Sequence, residues 1–136
     1  MAADVPGMTR ILVVEDNPNR IAKFARYLVG TDLKMCKTAE EAKSLLKSHI
    51  FDLIFLDHDL GENQECVEPP DINSGTEVVR YMVANIGDIC KERIPHIIIH
   101  SMNTYRSSVM YSDLVMAGYG DTEQIPFSVL NFNTVN

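Results

Sequence analysis

Residues 53–61 read Leu53-Ile54-Phe55-Leu56-Asp57-His58-Asp59-Leu60-Gly61, an apolar run that stops abruptly at two acids with a histidine between them. A buried strand that ends in charge is how a parallel sheet presents chemistry at its C-terminal edge, where open α/β sheets bind ligands. The same pattern occurs earlier, where Ile11-Leu12-Val13-Val14 runs into Glu15-Asp16. Two strand ends that together carry several carboxylates point to a divalent metal and to phosphate chemistry.

Strand and helix patterns alternate on both sides of these runs. After a first strand at residues 11–14, Asn17-Pro18 supplies a helix cap and a proline for the first turn. Ile21, Phe24, Ala25 and Leu28 then form an apolar face, and Gly30 stops the helix. A weak second strand covers 33–36. Thr38-Ala39-Glu40-Glu41 has capping-box spacing, with Ala42, Leu45 and Leu46 following on one face. The third strand covers 52–57, and a helix over 75–89 turns Val78, Val79, Met82, Val83 and Ile86 inward. In the fourth strand, 95–100, Ile97-Ile98-Ile99 is too apolar for a sheet with one solvated face. Asn103 or Thr104 caps a helix that reaches Ala117 and stops at Gly118, and a short fifth strand lies near Gln124-Ile125. Met82, Met110 and Met116 fall at helical spacing and read as core. This alternation predicts an α/β domain built on a doubly wound parallel sheet covered on both faces. Right-handed crossovers put all strand C-termini on one edge, where Glu15-Asp16, Asp57 and Ser101 meet.

Residues 9–136 read as one domain and 1–8 as a loose leader, with Met8 a candidate start. Residues 61–73 break the rhythm as an acidic, proline-bearing insertion. A loop of that length leaving from the proposed site is either a lid or a solvated insertion.

Composition bounds the function. A chain of 136 residues, 46% hydrophobic and 23% charged, suits one folded core. A net charge of −7 argues against a broad nucleic-acid-binding surface but leaves room for a small phosphate ligand held at a metal. Cys36, Cys66 and Cys90 lack metal-ligand spacing, so a reducing compartment is expected. No apolar run reaches bilayer-spanning length and no signal-peptide pattern opens the chain. A cytoplasmic protein without a membrane partner is the expectation.

Val13-Val14-Glu15-Asp16-Asn17, the run 52–57 closing on Asp57, Ser101 after the fourth strand, and Pro126-Phe127 together resemble the receiver domain of two-component response regulators, over residues 9–127. The resemblance implies a flavodoxin-like, five-stranded parallel sheet of order 2-1-3-4-5. It also implies an acidic pair at Glu15-Asp16, a phosphoacceptor at Asp57, and Ser101 where receivers carry threonine or serine. Three features depart from that pattern. Ile125 stands where the resemblance implies a lysine before Pro126; nine residues follow Phe127, so a fifth helix is short or absent; and the insertion replaces a short turn. The departures have a pattern of their own. Leu56-Asp57-His58-Asp59-Leu60-Gly61, Asn73-Ser74-Gly75, His100-Ser101-Met102-Asn103, Ala117-Gly118-Tyr119 and Ile125-Pro126-Phe127 resemble the cyclic-phosphate-processing receiver-like domain. That resemblance implies an enzyme linked to phage or defence-conflict systems, in one version phage-encoded and acting in the host cytoplasm.

Carboxylates sharing one cleft repel each other, so either some stay protonated or a cation neutralises them. A hard divalent ion fits, Mg²⁺ or Mn²⁺, with Asp16 and Asp57 as direct ligands, Glu15 directly or through water, and Asp59 through its backbone carbonyl. The competing reading is that Glu15-Asp16 only favours the N-terminus of the first helix. Asp57 could attack phosphorus and form an acyl phosphate, or hold a metal whose water attacks. Ser101 could donate to a phosphate oxygen, and Asn103 could bind phosphate or simply cap its helix. Strand alternation is expected to put Asp57 and Ser101 on one side and His58 and His100 side by side on the other. As strand ends loosen, a histidine could turn to the acids and serve as the acid or base of a ring opening; packed, structural histidines are the alternative. His49 and His96 lie away from this edge.

Three functions follow as expectations. The first is a metal-dependent phosphoesterase processing a cyclic phosphate on a small nucleotide or an RNA end. The second is a response-regulator receiver phosphorylated on Asp57 by a histidine kinase. The third is a degenerate receiver that acts as a protein-binding module.

Overall fold

Each long apolar run forms a central strand, and each amphipathic stretch forms the helix that covers it. The computed structural model describes residues 8–58, 60 and 74–130. In chain order the elements are β1 (Arg10–Val14), α1 (Pro18–Tyr27), β2 (Asp32–Cys36), α2 (Ala39–Ser48), β3 (Leu53–Leu56), α3 (Gly75–Ala84), the single-turn α4 (Ile86–Ile89), β4 (His96–Ile99), α5 (Thr104–Ala117) and β5 (Thr122–Gln124). A 3₁₀ turn, Phe127–Val129, follows β5. All strand pairs are parallel, in the order β2-β1-β3-β4-β5. This is the doubly wound sheet that the alternation predicts. Among the described residues no full helix follows β5.

Alternation within the strands divides the core in two. Leu12, Val14, Ile54, Leu56, Ile97 and Ile99 pack with α2, α3 and α5. Ile11, Val13, Leu53, Phe55 and Ile98 point the other way, onto Phe24 of α1 and Leu28 at its C-cap. Beyond α1, that second face is covered by Ile125, Phe127 and Leu130. Residues 125–130 therefore cover part of this face, and they bring an aromatic ring close to the strand ends.

The helix ends follow from local chemistry. Asn17 caps α1 by accepting the N–H groups of Asn19 and Arg20, and Thr38 caps α2 through the N–H of Glu41. Gly118 ends α5 with φ of 121°, a conformation that favours glycine. Tyr119 follows it into the core and donates its hydroxyl to the Met82 carbonyl at 2.6 Å, which tethers α5 to the end of α3. The helix expected over 75–89 is broken at Asn85. That side chain donates to the Tyr81 carbonyl and competes with the backbone there. Two apolar assignments are corrected. Val83 is partly exposed, and Met116 is 84% exposed because it falls on the outward side of α5. No described helix is long and apolar enough to cross a membrane. The leader 1–7, Asp59, and the insertion 61–73 with Cys66 lie outside the described residues.

Cys36 ends β2 facing the core, and burial together with nearby Glu41 pushes its thiol up to about 12. Only the thiolate is nucleophilic. In the native protein Cys36 should therefore stay unalkylated by iodoacetamide between about pH 7 and 9, and react readily once the chain is denatured. Peptide mass mapping checks this; native alkylation as fast as in denatured chain would contradict the packing at β2.

Candidate functional site

The register of three neighbouring strands builds the site. Val14 pairs with Leu56, and Leu56 pairs with Ile99. One residue further on, the chains still bond in step: Asp57 N–H donates to the Val14 carbonyl at 3.1 Å, and His100 N–H to the Leu56 carbonyl at 2.9 Å. Glu15, Asp57 and His100 thus continue the parity of Val13, Phe55 and Ile98, the face beneath α1. All three are buried, and their ligand atoms lie within 4.8 Å of one another.

Glu15 is bonded through both of its carboxylate oxygens. Its Oε1 meets His100 Nε2 at 2.7 Å, and its Oε2 accepts the N–H groups of Asp16 at 3.1 Å and Asn17 at 3.0 Å. Burial alone would raise its pKa. The His100 bond, the Asn17 amide and the charge of Arg20 outweigh burial and hold the carboxyl below its usual value. For His100, burial is the leading effect and pushes the imidazole down; Arg20 adds to this and Glu15 opposes it, and the net direction is down. A neutral imidazole donating its Nε2 proton to an ionised Glu15 satisfies both shifts. The ring is enclosed by Phe24, Phe55 and Phe127, with centroids 5.2, 6.2 and 6.2 Å away.

Asp57 accepts the His58 N–H at Oδ1, 2.9 Å away. Its Oδ2 lies 3.8 Å from Arg20 Nη1, which also lies 3.7 Å from Glu15 Oε1. Asp16 is half-buried beside Glu15 and stands outside the three-residue cluster.

The expected pairing of faces is overturned. Asp57 stands opposite His100 in the ladder, not opposite Ser101, so His100 joins the acids and the two histidines do not sit side by side. A one-residue change of register exchanges the faces of every side chain, which is why the alternation was right and its phase wrong. Ser101 is buried and engaged at the start of α5, where its Oγ accepts the Asn103 N–H at 3.1 Å. Asn103 caps α5, accepting the Arg106 N–H at 3.2 Å. His58 is buried too, and its carbonyl accepts the Gly75 N–H at 2.8 Å, joining the site to α3. Asp59 lies outside the described residues.

Sequence reasoning missed Arg20 and gave Phe127 no role at the site. The signal for Arg20 was present: the first turn of α1 carries no acid and does carry an arginine, against the preference of a helix N-terminus for negative charge. The signal for Phe127 was its place after Pro126. Its N–H donates to the His100 carbonyl at 3.0 Å, which fixes the ring against the site.

This sheet, with acids gathered at its C-terminal edge, defines a receiver-like domain. Solved structures of similar fold include the signal receiver domain of a LuxO repressor protein from Vibrio parahaemolyticus, with TM-score 0.61, 23% identity and coverage of 94% of this chain and 84% of that one. A CheY-like receiver domain from Methanospirillum hungatei has TM-score 0.63 and 20% identity, over 95% of this chain and 88% of that one. The receiver domain of a sensor histidine kinase from Pseudomonas aeruginosa has TM-score 0.63 and 18% identity, over 95% and 92%, and holds a magnesium ion in its active-site cleft. No curated protein matches the sequence. The chain belongs to the family of cyclic-phosphate processing receiver domains, whose profile matches residues 10–115.

Proposed function

We propose that this protein is a metal-dependent phosphoesterase that opens a cyclic phosphate on a nucleotide or an RNA end, at the cluster of Glu15, Asp57 and His100. The observation that carries the reading is the meeting of two buried carboxylates, an imidazole of lowered basicity and one guanidinium at the edge of the sheet. Membership of the family supports the substrate class.

Carboxylate oxygens are hard donors, so the site suits Mg²⁺. Asp57 and Glu15 would hold the ion, with Asp16 adjoining; when bound, it would activate a water and offset phosphate charge. The magnesium ion in the Pseudomonas receiver domain is consistent with this assignment. Opening the ring adds water: one P–O bond forms, one ring P–O bond breaks, and the released sugar oxygen takes a proton. In this chain the enclosed His100 orients Glu15 through the 2.7 Å bond, so we assign it a positioning role. We read residues 9–136 as one domain carrying this site.

With Mg²⁺ the protein is expected to hydrolyse a ribonucleoside cyclic phosphate, or an RNA oligonucleotide that ends in one, and EDTA should stop the reaction. Absence of turnover with both substrates would remove the reading. The rival reading, a phosphoacceptor at Asp57, requires a covalent mass shift after treatment with acetyl phosphate that Asp57→Asn abolishes; we expect the mass to stay unchanged.

A further inference from the structure

We propose that Arg20 is the phosphate-binding residue of this site, its guanidinium taking the non-bridging oxygens of the phosphoryl group while the carboxylates serve the metal. The inference rests on the reading that the site handles a phosphate; it does not depend on which cyclic phosphate is opened.

The geometry sets Arg20 apart from an ordinary counter-ion. An arginine paired directly with a carboxylate frequently forms short, forked hydrogen bonds at about 2.7–2.9 Å. Arg20 Nη1 instead stands 3.7 Å from Glu15 and 3.8 Å from Asp57, near enough for attraction and too far to donate. Its backbone N–H donates to the Asn17 cap, and among the described residues its guanidinium donates no hydrogen bond. A planar group with five donors is therefore held at the acids with those donors unspent.

What holds it is stacking. The guanidinium carbon lies 5.3 Å from the centroid of the Phe127 ring. That ring is itself fixed, by its backbone bond to the His100 carbonyl and by its packing 5.5 Å from Phe24. The side chain of Arg20 is 26% exposed, whereas the Glu15 side chain is fully enclosed and that of Asp57 nearly so. A ligand arriving from solvent would meet the arginine first. Placing a cation in the first turn of α1 opposes the helix dipole, and a bound anion there would be favoured by both the dipole and the arginine. The one guanidinium lies within 4 Å of both Glu15 and Asp57. Lys23 reaches the same Phe127 ring, 5.9 Å away, and makes no ion pair with either acid.

The test is calorimetric titration of inorganic phosphate into the Mg²⁺-saturated protein, beside titration of Mg²⁺ alone, for wild type, Arg20→Gln, Arg20→Lys and Lys23→Gln. Circular dichroism confirms that each variant is folded. Loss of a forked, charge-assisted contact should weaken phosphate binding roughly tenfold or more in Arg20→Gln. Arg20→Lys should recover part of it, since it restores the charge without the fork. Mg²⁺ affinity should hold or rise in Arg20→Gln, because a competing cation has gone from beside the carboxylates, and Lys23→Gln should bind phosphate as wild type does. Three results would overturn the proposal: phosphate affinity in Arg20→Gln within about twofold of wild type, an equal loss in Lys23→Gln, or Mg²⁺ affinity falling in step with phosphate affinity. A wild type that binds no phosphate would overturn it as well. Arg20-dependent phosphate binding without turnover of any cyclic phosphate would leave this inference standing and remove only the phosphoesterase reading.

Discussion

Replacing Gly75 by alanine is expected to destabilise the protein by about 3 kcal/mol or more, a larger penalty than most single substitutions carry. Gly75 opens α3 directly beneath the site, its N–H donating to the His58 carbonyl at 2.8 Å. A Cβ there would collide with the Asp57 carbonyl oxygen, lie 2.9 Å from His58 Cα and lie 2.7 Å from Met110 Cε. The methionine end can swing aside. The two backbone atoms cannot, because Asp57 is bonded into the sheet and His58 to α3. Relief must come from moving α3 off the strand end, which opens the core around Val78, Val79 and Met82. Gly87 in α4 is the control: a Cβ there meets nothing within 4 Å. We therefore expect Gly75→Ala to lower the melting temperature by about 10 °C or more and Gly87→Ala to leave it unchanged or slightly raised. Thermal unfolding followed by circular dichroism decides; a Gly75→Ala melting temperature within about 2 °C of wild type would show that α3 does not press on Asp57 as described.

The second large effect expected is loss of the proposed metal site in Asp57→Asn. The substitution keeps the shape of the side chain and an oxygen able to accept the His58 N–H. It removes one of the two buried negative charges that face each other across Arg20. An amide oxygen is a far weaker ligand for a hard dication than a carboxylate. With Arg20 still present, the pocket loses its excess of negative charge. Mg²⁺ affinity should drop by about two orders of magnitude or more, roughly 2.8 kcal/mol. Stability, by contrast, should hold or rise, because a buried carboxylate beside Glu15 has been neutralised. Titration of Mg²⁺ and urea unfolding on the same two proteins separate these effects. Equal Mg²⁺ affinity in both would mean that the ion, if bound, sits elsewhere.

Much of the fold is legible because buried parallel strands announce themselves. Ile97-Ile98-Ile99 and Leu53 through Leu56 have no polar face to offer water, and they occupy the middle of the sheet with β1. The carboxylates were legible for a related reason: an acid directly after such a run must lie at the strand's C-terminal end. The phase between strands was not. Alternation says that Asp57 and His58 point opposite ways, but the residue facing Asp57 across β3 and β4 is fixed by pairing Leu56 with Ile99, a tertiary fact. That one-residue difference brings His100 to the acids and sends Ser101 to the start of α5. Arg20 and Phe127 lie far apart in sequence and meet because α1 and the tail cover the same face of the sheet. Their proximity is written in packing, not in any local pattern. Met116 failed for the opposite reason, since helical spacing alone does not tell which stripe of α5 turns inward.

The carboxylates beneath α1 are proposed to form a metal-assisted centre for opening cyclic phosphates. Phosphorus NMR of a ribonucleoside cyclic phosphate, incubated with Mg²⁺ and either wild-type protein or Asp57→Asn, tests it most directly. The cyclic-phosphate resonance should give way to a monoester resonance with wild type and persist with Asp57→Asn. A cyclic resonance that persists with both proteins, or that decays equally with both, would contradict it.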